Sequence, residues 1–404
     1  MLIKVKQESP GALAGNAAWI AALALGLAVF GLVVQYSAGI SLSSSNRTAA
    51  FDRQIIYVPI AALAGFLCFR LNLDRVREHR WWIFGAAVLA MFAARVPGVG
   101  VSVNGSWRWI ELGFIRLQAS DLGKLALVIV LADLLARMQR HTLPAKFRIF
   151  RLSDRAPYVF TPAGWLDFRE GFLKPVVVVL TIAGCIALGP DLGTILLCVA
   201  VGGVMMFISG VRWHYVIPWF LLGATALTIL ILNWPNRLRR FVSFIDPWQN
   251  RGDEAYQLFE GMMGFGVGGL TGKGAGFGLQ SRAYLPEAHT DFVLAGIGEE
   301  YGLVGTSLVA ATYLAIFVLG YRALRHSADL YRLNVGLGAL LFLVIQALVN
   351  MGVVTGLLPT KGISLPFLSY GGTNLVIMAC MVGLVLNCIR EASRPVFTPK
   401  EARA

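Results

Sequence analysis

Apolar stretches of membrane-spanning length recur along the whole 404-residue chain. A helix that crosses a bilayer needs about 20 mainly apolar residues, and most of these stretches approach that length. They predict ten helices, at residues 17–38, 54–70, 81–97, 119–136, 174–189, 191–210, 215–233, 291–319, 335–357 and 373–389. We therefore predict an all-α polytopic membrane protein, one domain over residues 1–404 with about ten transmembrane helices.

The composition excludes an ordinary soluble protein. Apolar residues make up 57% of the chain and charged residues 14%, whereas soluble domains average about 25% charged residues. The five cysteines lie inside apolar stretches without paired spacing, which is typical of small packed side chains rather than of disulfides or a metal site. The net charge of +13 can indicate nucleic-acid binding, but membrane proteins reach such totals through their loops, and we expect no nucleic-acid partner.

The positions of Lys and Arg predict the orientation. One alternating set of loops and tails holds 22 of the 35 basic residues, which places both termini in the cytoplasm. The basic loop 137–173 is then cytoplasmic and is expected to contact anionic headgroups or a cytoplasmic partner. The outer loop 234–290 is rich in aromatic residues, which predicts a structured element at headgroup level between the seventh and eighth helices.

A polar cluster lies where the outer loop re-enters the membrane. Glu287, His289 and Asp291 place two acids and an imidazole within five residues. Asp291 can cap the eighth helix, since Asp is a good N-cap, or its carboxylate can act as a general base. Glu299 and Glu300 follow about 12–13 Å deeper along the helix, where ionisable groups are expected to have a function or a specific partner.

Three further clusters fall on the same predicted side. Asp121 and Lys124 share a face of the fourth helix and can form an ion pair. Just upstream, in the same cluster, Arg108 lies between two tryptophans, either as part of an anchor belt or as a site for anionic headgroups. An acid, Asp191, follows a Gly-Pro break, and the irregular segment 358–372 contains Lys361 and Ser369. Four clusters on one side favour a single outward-facing cavity over four unrelated helix caps.

The glycine-rich segment 264–278 contains a G-x-G-x-x-G match at Gly264. That motif binds dinucleotides only at the strand-to-helix turn of a βαβ unit, and the sequence predicts no such unit here. We interpret the segment as a flexible or closely packed loop. Backbone amides that face an anionic group are the alternative interpretation.

These motifs together resemble the SEDS proteins (shape, elongation, division and sporulation), a family that includes FtsW, RodA and SpoVE. The resemblance rests on sequence motifs that occur in the same order as in the family, at residues 104–109, 190–194, 237–248, 284–292, 298–302, 358–362 and 369–372. It implies a ten-helix enzyme that polymerises lipid II into glycan strands at the outer face of the bacterial cytoplasmic membrane. The Pro-Glu-Ala-His wording before Thr290 favours the FtsW, or division, branch.

The resemblance also implies residue roles. The family's catalytic acid falls on Asp291, and its acid and lysine at the start of the fourth helix fall on Asp121 and Lys124. The chain departs from the family pattern at Asp121, where Glu is usual, and at Gly189, where Gln is usual. The implied partners are lipid II, the nascent glycan strand, membrane lipids, a class B penicillin-binding protein transpeptidase and other division or elongation proteins.

We hypothesise that Asp291 takes the proton from the acceptor 4-hydroxyl while undecaprenyl pyrophosphate leaves. Basic side chains are candidates to stabilise the negative charge of the leaving pyrophosphate, and a divalent cation, Mg²⁺ or Mn²⁺, is a further candidate. The basic candidates are Lys361, Lys124, Arg108, Arg239 and Arg240, and the other substrate-binding candidates are Asp121, Glu287, His289 and Ser369. A lipid II flippase and a non-catalytic scaffold that activates a transpeptidase are the alternative functions.

Overall fold

The computed structural model describes residues 9–39, 49–103, 106–113, 115–142, 162–189, 191–233, 242, 244–249, 255–279, 285 and 289–393. A π-helical turn at Arg169–Leu173 joins the helices α6 and α7. The helices are α1 (Pro10–Gly39), α2 (Ala49–Arg70), α3 (Leu73–Glu78), α4 (Arg80–Ala93), α5 (Ala119–Thr142), α6 (Pro162–Phe168), α7 (Lys174–Ala187), α8 (Leu192–Ile208), α9 (Trp213–Leu232), α10 (Tyr256–Gly268), α11 (Val293–Leu324), α12 (Leu330–Val354) and α13 (Gly372–Ala392).

Each of the ten predicted helices corresponds to a helix of the structure. Within the described ranges, six helical spans are long and apolar enough to cross a membrane, and α4 and α8 are shorter apolar helices. Helix α5 is long enough but carries three buried charged side chains, at Asp121, Lys124 and Asp133. The polytopic helical architecture is therefore confirmed.

Capping residues explain where two helices begin. Helix α1 starts at Pro10 rather than at residue 17, because the Ser9 hydroxyl accepts the Ala12 N–H at 3.3 Å and proline suits a first helical position. Helix α12 starts at Leu330 rather than at residue 335, because Asp329 Oδ1 accepts the Tyr331 N–H at 3.1 Å. The sequence therefore contained the correct start signals ahead of the apolar stretches.

The two long loops contain more helix than expected. Helix α5 runs through to Thr142 and α6 begins at Pro162, so both ends of the predicted basic loop are helical, and residues 143–161 lie outside the described ranges. In the outer loop, α10 confirms the expectation of a structured element.

A small antiparallel sheet, which the sequence analysis did not predict, precedes α5. Its strands β1 (Gly100–Val103), β2 (Ser106–Leu112) and β3 (Ile115–Gln118) lie in the order β1-β2-β3. Gly100 pairs with Ile110, and Trp109 pairs with Gln118. Strand β3 runs directly into α5, so the sheet sits over the first turn of that helix.

Hydrogen bonds identify the two ends of the bundle. Gln35, near the end of α1, donates to the Leu368 carbonyl just before α13, whereas Asn387, late in α13, donates to the Cys68 carbonyl late in α2. The start of α1 and the end of α13 thus share one end. We call the end with strands β1–β3 and segment 355–371 the irregular end, and the end with residues 73–80 and 325–329 the arginine end.

Candidate functional site

The segment 355–371 connects α12 to α13 with irregular backbone inside the bundle. Irregular backbone at membrane depth is tolerated only when protein or water satisfies its polar groups. Here polar side chains from α1, α2, α11 and α12 satisfy five carbonyl groups. The pairs are Asn350 with Ile363 O (2.6 Å), Gln346 with Ser364 O (2.8 Å), Tyr313 with Pro366 O, Gln35 with Leu368 O (3.0 Å) and Gln54 with Ser369 O (3.5 Å).

This network also places Asp291, two residues before α11. The Asn350 side-chain amide that donates to Ile363 O also donates to Asp291 O, at 2.7 Å. The carboxylate lies beside Gly362, where an added Cβ would be 2.7 Å from Asp291 Oδ2. The structure therefore places the Asp291 carboxylate against Gly362, the residue that follows Lys361. The side chains of Asp291 and Lys361 are both half-buried.

His289 and Ser369 hold backbone in place. The His289 carbonyl accepts the Tyr370 N–H at 2.7 Å and the Gln35 amide at 2.8 Å. The Ser369 hydroxyl is buried and accepts the Leu365 N–H at 2.7 Å, which closes a turn of the irregular segment. The geometry supports a positioning role for Ser369, whereas the half-buried His289 ring lies near the ring of Tyr370.

Asp121 and Lys124 form the expected ion pair at the start of α5. Asp121 Oδ1 is 2.8 Å from Lys124 Nζ, so the shorter acid still reaches the lysine. Lys124 Nζ also donates to Gln346 Oε1 at 3.1 Å, and Gln346 contacts the irregular segment through Ser364. Both charged groups are buried, and Asp121 Oδ2 has no hydrogen-bond partner among the described residues. The pair therefore supports the irregular segment from within the bundle.

Asp191 both caps a helix and lies near an arginine. Its Oδ1 accepts the Thr194 N–H at 3.1 Å and caps α8, while its Oδ2 lies 3.6 Å from Arg108 NH1. Arg95, which sequence reasoning did not single out, lines a small cavity together with Arg108, Ser120 and Asp191. Two guanidinium groups and one carboxylate leave this cavity positively charged.

The four clusters do meet at the irregular end. Besides the contacts of Asn350 and Gln346, an added Cβ at Gly193 on α8 would lie 3.0 Å from the Ile363 side chain. The cavity beside Arg108, however, is not lined by Asp291 or Lys361. The four clusters therefore lie together at the irregular end. The cavity is lined by Arg108 and Asp191 and lies to one side of Asp291 and Lys361.

The first part of the glycine-rich segment is not a loop but the end of α10, which runs to Gly268, and the segment packs closely against the part of α11 that carries two acids. Gly302, with φ of +66°, interrupts α11, and the amides of Leu303 and Val304 donate instead to the carbonyls of Gly269 (2.9 Å) and Leu270 (3.1 Å). Two sets of groups donate to the buried carboxylates. Leu279 N–H donates to Glu299 at 2.7 Å, and Ser37 and the amides of Gly276 and Gly278 donate to Glu300. Backbone amides thus do face anionic groups, which are the protein's own.

Three candidate residues, Glu287, Arg239 and Arg240, lie outside the described residues. Among the residues that are described, no group of three or more His, Cys, Asp or Glu side chains is placed to hold a metal ion. Sequence reasoning missed the amides of Gln346 and Asn350, which connect the clusters. Their signal was available, because polar side chains in an apolar helix usually have a partner.

Sequence comparisons place the chain among known proteins. The family model for the FtsW, RodA and SpoVE cell cycle proteins matches residues 17–394. A probable peptidoglycan glycosyltransferase FtsW from Hahella chejuensis is 35% identical over 377 residues, covering 91% of this chain and 89% of the relative. The protein of the same name from Geobacter metallireducens is 33% identical over 368 residues, covering 90% and 92%.

Solved structures share the fold. One from a study of polymerization and crosslinking by a peptidoglycan synthase complex has a TM-score of 0.72 at 24% identity, covering 93% of this chain and 98% of that chain. The rod shape determining protein RodA of Thermus thermophilus has a TM-score of 0.64 at 24% identity, covering 93% and 97%. With the family model matched over nearly its whole length, this chain belongs to the FtsW/RodA/SpoVE family of cell cycle proteins.

Proposed function

We propose that this chain polymerises lipid II into glycan strands at the outer face of the bacterial cytoplasmic membrane, with Asp291 as the general base. The peptidoglycan glycosyltransferase activity is supported by relatives of that name matched over about nine-tenths of the chain. One observation carries the residue assignment. Asp291 is a half-buried acid fixed by its backbone to Asn350 and placed against Gly362, beside Lys361.

In the proposed reaction, the Asp291 carboxylate takes the proton of the acceptor 4-hydroxyl. The hydroxyl oxygen attacks the anomeric carbon of the donor sugar with inversion, and the bond to the pyrophosphate breaks. General-base catalysis of this kind contributes about 10²–10⁴-fold in rate. Lys361 and Arg108 are half-buried and are suited to stabilise the charge of the leaving pyrophosphate, whereas Lys124 is buried against Asp121 and Gln346.

A divalent cation remains part of the proposal as a substrate-bound ion. Mg²⁺ is commonly held by one or two carboxylates together with substrate phosphates. The described residues offer no cluster of three protein ligands, so the pyrophosphate would have to provide most of the coordination. Loss of polymerisation in a chelator, restored by added Mg²⁺ or Mn²⁺, is the expected result if the ion takes part.

The proposed setting is a division complex with both termini in the cytoplasm. The relatives named FtsW support the division branch. The match to a structure from a peptidoglycan synthase complex supports a class B penicillin-binding protein transpeptidase as the partner. Helix α1 begins and α13 ends at the same end of the bundle, as this orientation requires.

The test is polymerisation of lipid II by the purified chain in detergent, with and without the partner transpeptidase. Glycan strands are expected from the wild type, and none from folded Asp291→Asn. A flippase requires a sealed membrane and gives no strands in detergent. A scaffold gives strands only through another polymerase, and its Asp291→Asn variant still activates the partner.

A further inference from the structure

A second cluster of buried charge lies at the arginine end, away from the proposed chemistry. Asp133 of α5 is fully buried and contacts three arginines from α3, α4 and α5. Its Oδ1 lies 2.6 Å from Arg77 Nε, and its Oδ2 lies 2.8 Å from both Arg80 Nε and Arg137 Nε. One carboxylate therefore holds three guanidinium groups, and the cluster carries a net charge of +2.

The other acids at this end do not neutralise the cluster. Asp74 pairs with Arg332 at 2.8 Å, and Asp329 pairs with Arg140 at 3.4 Å. Glu391 is similarly engaged by Arg390, and on α3 the charge of Glu78 is offset by that of Arg75. The excess charge on the three arginines therefore persists when their neighbours are counted.

The contacts leave the outer part of each guanidinium group available. All three arginines contact Asp133 through Nε. One terminal NH group of Arg80 donates to the Arg77 carbonyl at 2.7 Å, and the other terminal NH groups of the three arginines can donate to a second anion. Arg137 is 51% exposed, and Arg77 and Arg80 are partly exposed. Guanidinium groups pre-oriented in this way suit a phosphate group, which they bind through paired hydrogen bonds.

Large apolar side chains are exposed beside the cluster. Helix α4 follows Arg80 with Trp81 and Trp82, which are 48% and 80% exposed, and it also exposes Leu89 and Phe92. Tryptophan is enriched at the boundary between hydrocarbon and headgroups. The arginines thus lie at the start of a helix that exposes large apolar side chains, next to two exposed tryptophans, which is the arrangement expected of residues at headgroup level.

We propose that Arg77, Arg80 and Arg137 bind the phosphate of an anionic phospholipid in the leaflet at the arginine end. Asp133 orients the three guanidinium groups, and the exposed tryptophans border the acyl chains. Basic pockets between membrane helices are suited to such headgroups. The proposal is independent of the reaction at Asp291, since it concerns the other end of the bundle.

The experiment titrates the delipidated full-length chain in detergent with phosphatidylglycerol or phosphatidylcholine of equal acyl chains, with native mass spectrometry as the readout. Wild type is expected to retain phosphatidylglycerol in preference to phosphatidylcholine. Arg137→Gln is expected to bind it about fivefold more weakly, and Arg77→Gln with Arg137→Gln about twenty-fivefold more weakly. Asp133 keeps an arginine partner in both variants, so the fold is expected to survive.

Arg140→Gln is the matched control, because Arg140 lies one turn further along α5 and pairs with Asp329. Its affinity for phosphatidylglycerol is expected to stay within twofold of wild type. Equal losses in Arg140→Gln and Arg137→Gln would overturn the proposal in favour of a diffuse basic surface. So would a wild type without lipid preference, a measurement that requires no variant.

Two competitors separate other ligands from the lipid. Inorganic phosphate at the same concentration as the lipid headgroup is expected to leave the bound phosphatidylglycerol in place. Displacement by phosphate alone would identify a site for free anions. If hexaglutamate binds wild type but not Arg137→Gln, while lipid retention is the same in both, the cluster binds an acidic peptide and the lipid proposal is wrong.

Discussion

Helix α5 carries two buried carboxylates, Asp121 and Asp133, whose surroundings differ in kind. They lie twelve residues apart, about 18 Å along the helix. Asp121 has one cation, Lys124, and an oxygen without a partner among the described residues, and the Gln346 amide contacts the lysine. Asp133 has three arginines. One end of the helix therefore contains a balanced pair in an amide network, and the other an acid with excess positive charge.

This difference indicates separate tasks for the two ends. Amide side chains are neutral and can both donate and accept hydrogen bonds, so the network at the irregular end can support irregular backbone without adding net charge to the bundle. A buried acid between three arginines instead ties together α3, α4 and α5. We expect substitutions at the arginine end to change mainly stability and those at the irregular end to change mainly activity.

The largest expected loss of stability follows the substitution Asp133→Asn. Three partly buried arginines would then lack their counter-ion, which is expected to cost about 3 kcal/mol. Asp121→Asn is expected to cost less than half of that, because Lys124 keeps Gln346 as a partner. Thermal unfolding of both purified variants in one detergent measures the difference, and equal losses would remove the distinction between the two acids.

Lys124→Met is expected to give the next largest loss. Asp121 would remain buried without a cation, which is expected to lower the free energy of unfolding by about 2 kcal/mol. Adding Asp121→Asn removes the uncompensated charge and is expected to recover part of that loss, as a double-mutant cycle would show. If the losses of the two single variants simply add, the pair makes no net contribution to stability.

Two asparagines allow a matched comparison of the ends. Asn350 donates to Asp291 O and Ile363 O, and Asn387 donates to Cys68 O and Leu71 O. Replacing either one with Leu leaves two carbonyls without these bonds and is expected to cost about 1–3 kcal/mol. Only Asn350→Leu is expected to slow lipid II polymerisation per folded molecule, by about tenfold, because Asp291 loses its backbone anchor.

Asn387→Leu is the control for Asn350→Leu. Both asparagines are buried and both donate to two carbonyls, so unfolding temperatures are expected to fall together. A similar loss of specific activity in Asn387→Leu would show that activity follows general stability. The assignment of Asn350 as a positioning residue would then be wrong.

Gly362→Ala is expected to have the smallest effect on stability. The new Cβ would lie 2.7 Å from Asp291 Oδ2, and the end of a side chain can move aside, so the cost is expected to stay below about 1 kcal/mol. The carboxylate must shift, however, and polymerisation is expected to fall severalfold. Gly266→Ala on α10 is the control, since nothing lies within 4 Å of its Cβ.

Much of the fold was accessible from the sequence, because apolar length alone specifies a membrane helix. The sheet β1–β3 was not predicted, although Asn104-Gly105 between alternating residues is a hairpin signal. From the sequence, Arg108 and its two neighbouring tryptophans are interpreted as part of an anchor belt or as a site for anionic headgroups. The structure shows that these residues pair as strands of a sheet. The apolar pattern of the chain predicts helices and gave no reason to expect strands.

The sequence predicted that the polar clusters share one side of the molecule, but it did not predict the hydrogen bonds that connect them. Asp291, Asp121 and Lys124 stand out because charge is rare in an apolar sequence. A neutral amide such as Gln346 or Asn350 is less conspicuous, and its partners are backbone carbonyls or side chains far away in the chain. These contacts depend on how the helices pack against one another. The hydrogen-bond network could therefore be identified only from the structure.

The most direct test of the account is the rate of lipid II polymerisation by Asp291→Asn relative to wild type, with the unfolding temperature measured on the same samples. Glu111→Gln serves as the control, because Glu111 is an exposed acid of the same end, paired with Arg116. We predict a loss of at least about 100-fold for Asp291→Asn at an unchanged unfolding temperature, and less than about twofold for Glu111→Gln. Folded Asp291→Asn that retains more than about a tenth of the wild-type rate would contradict the assignment of Asp291 as the general base.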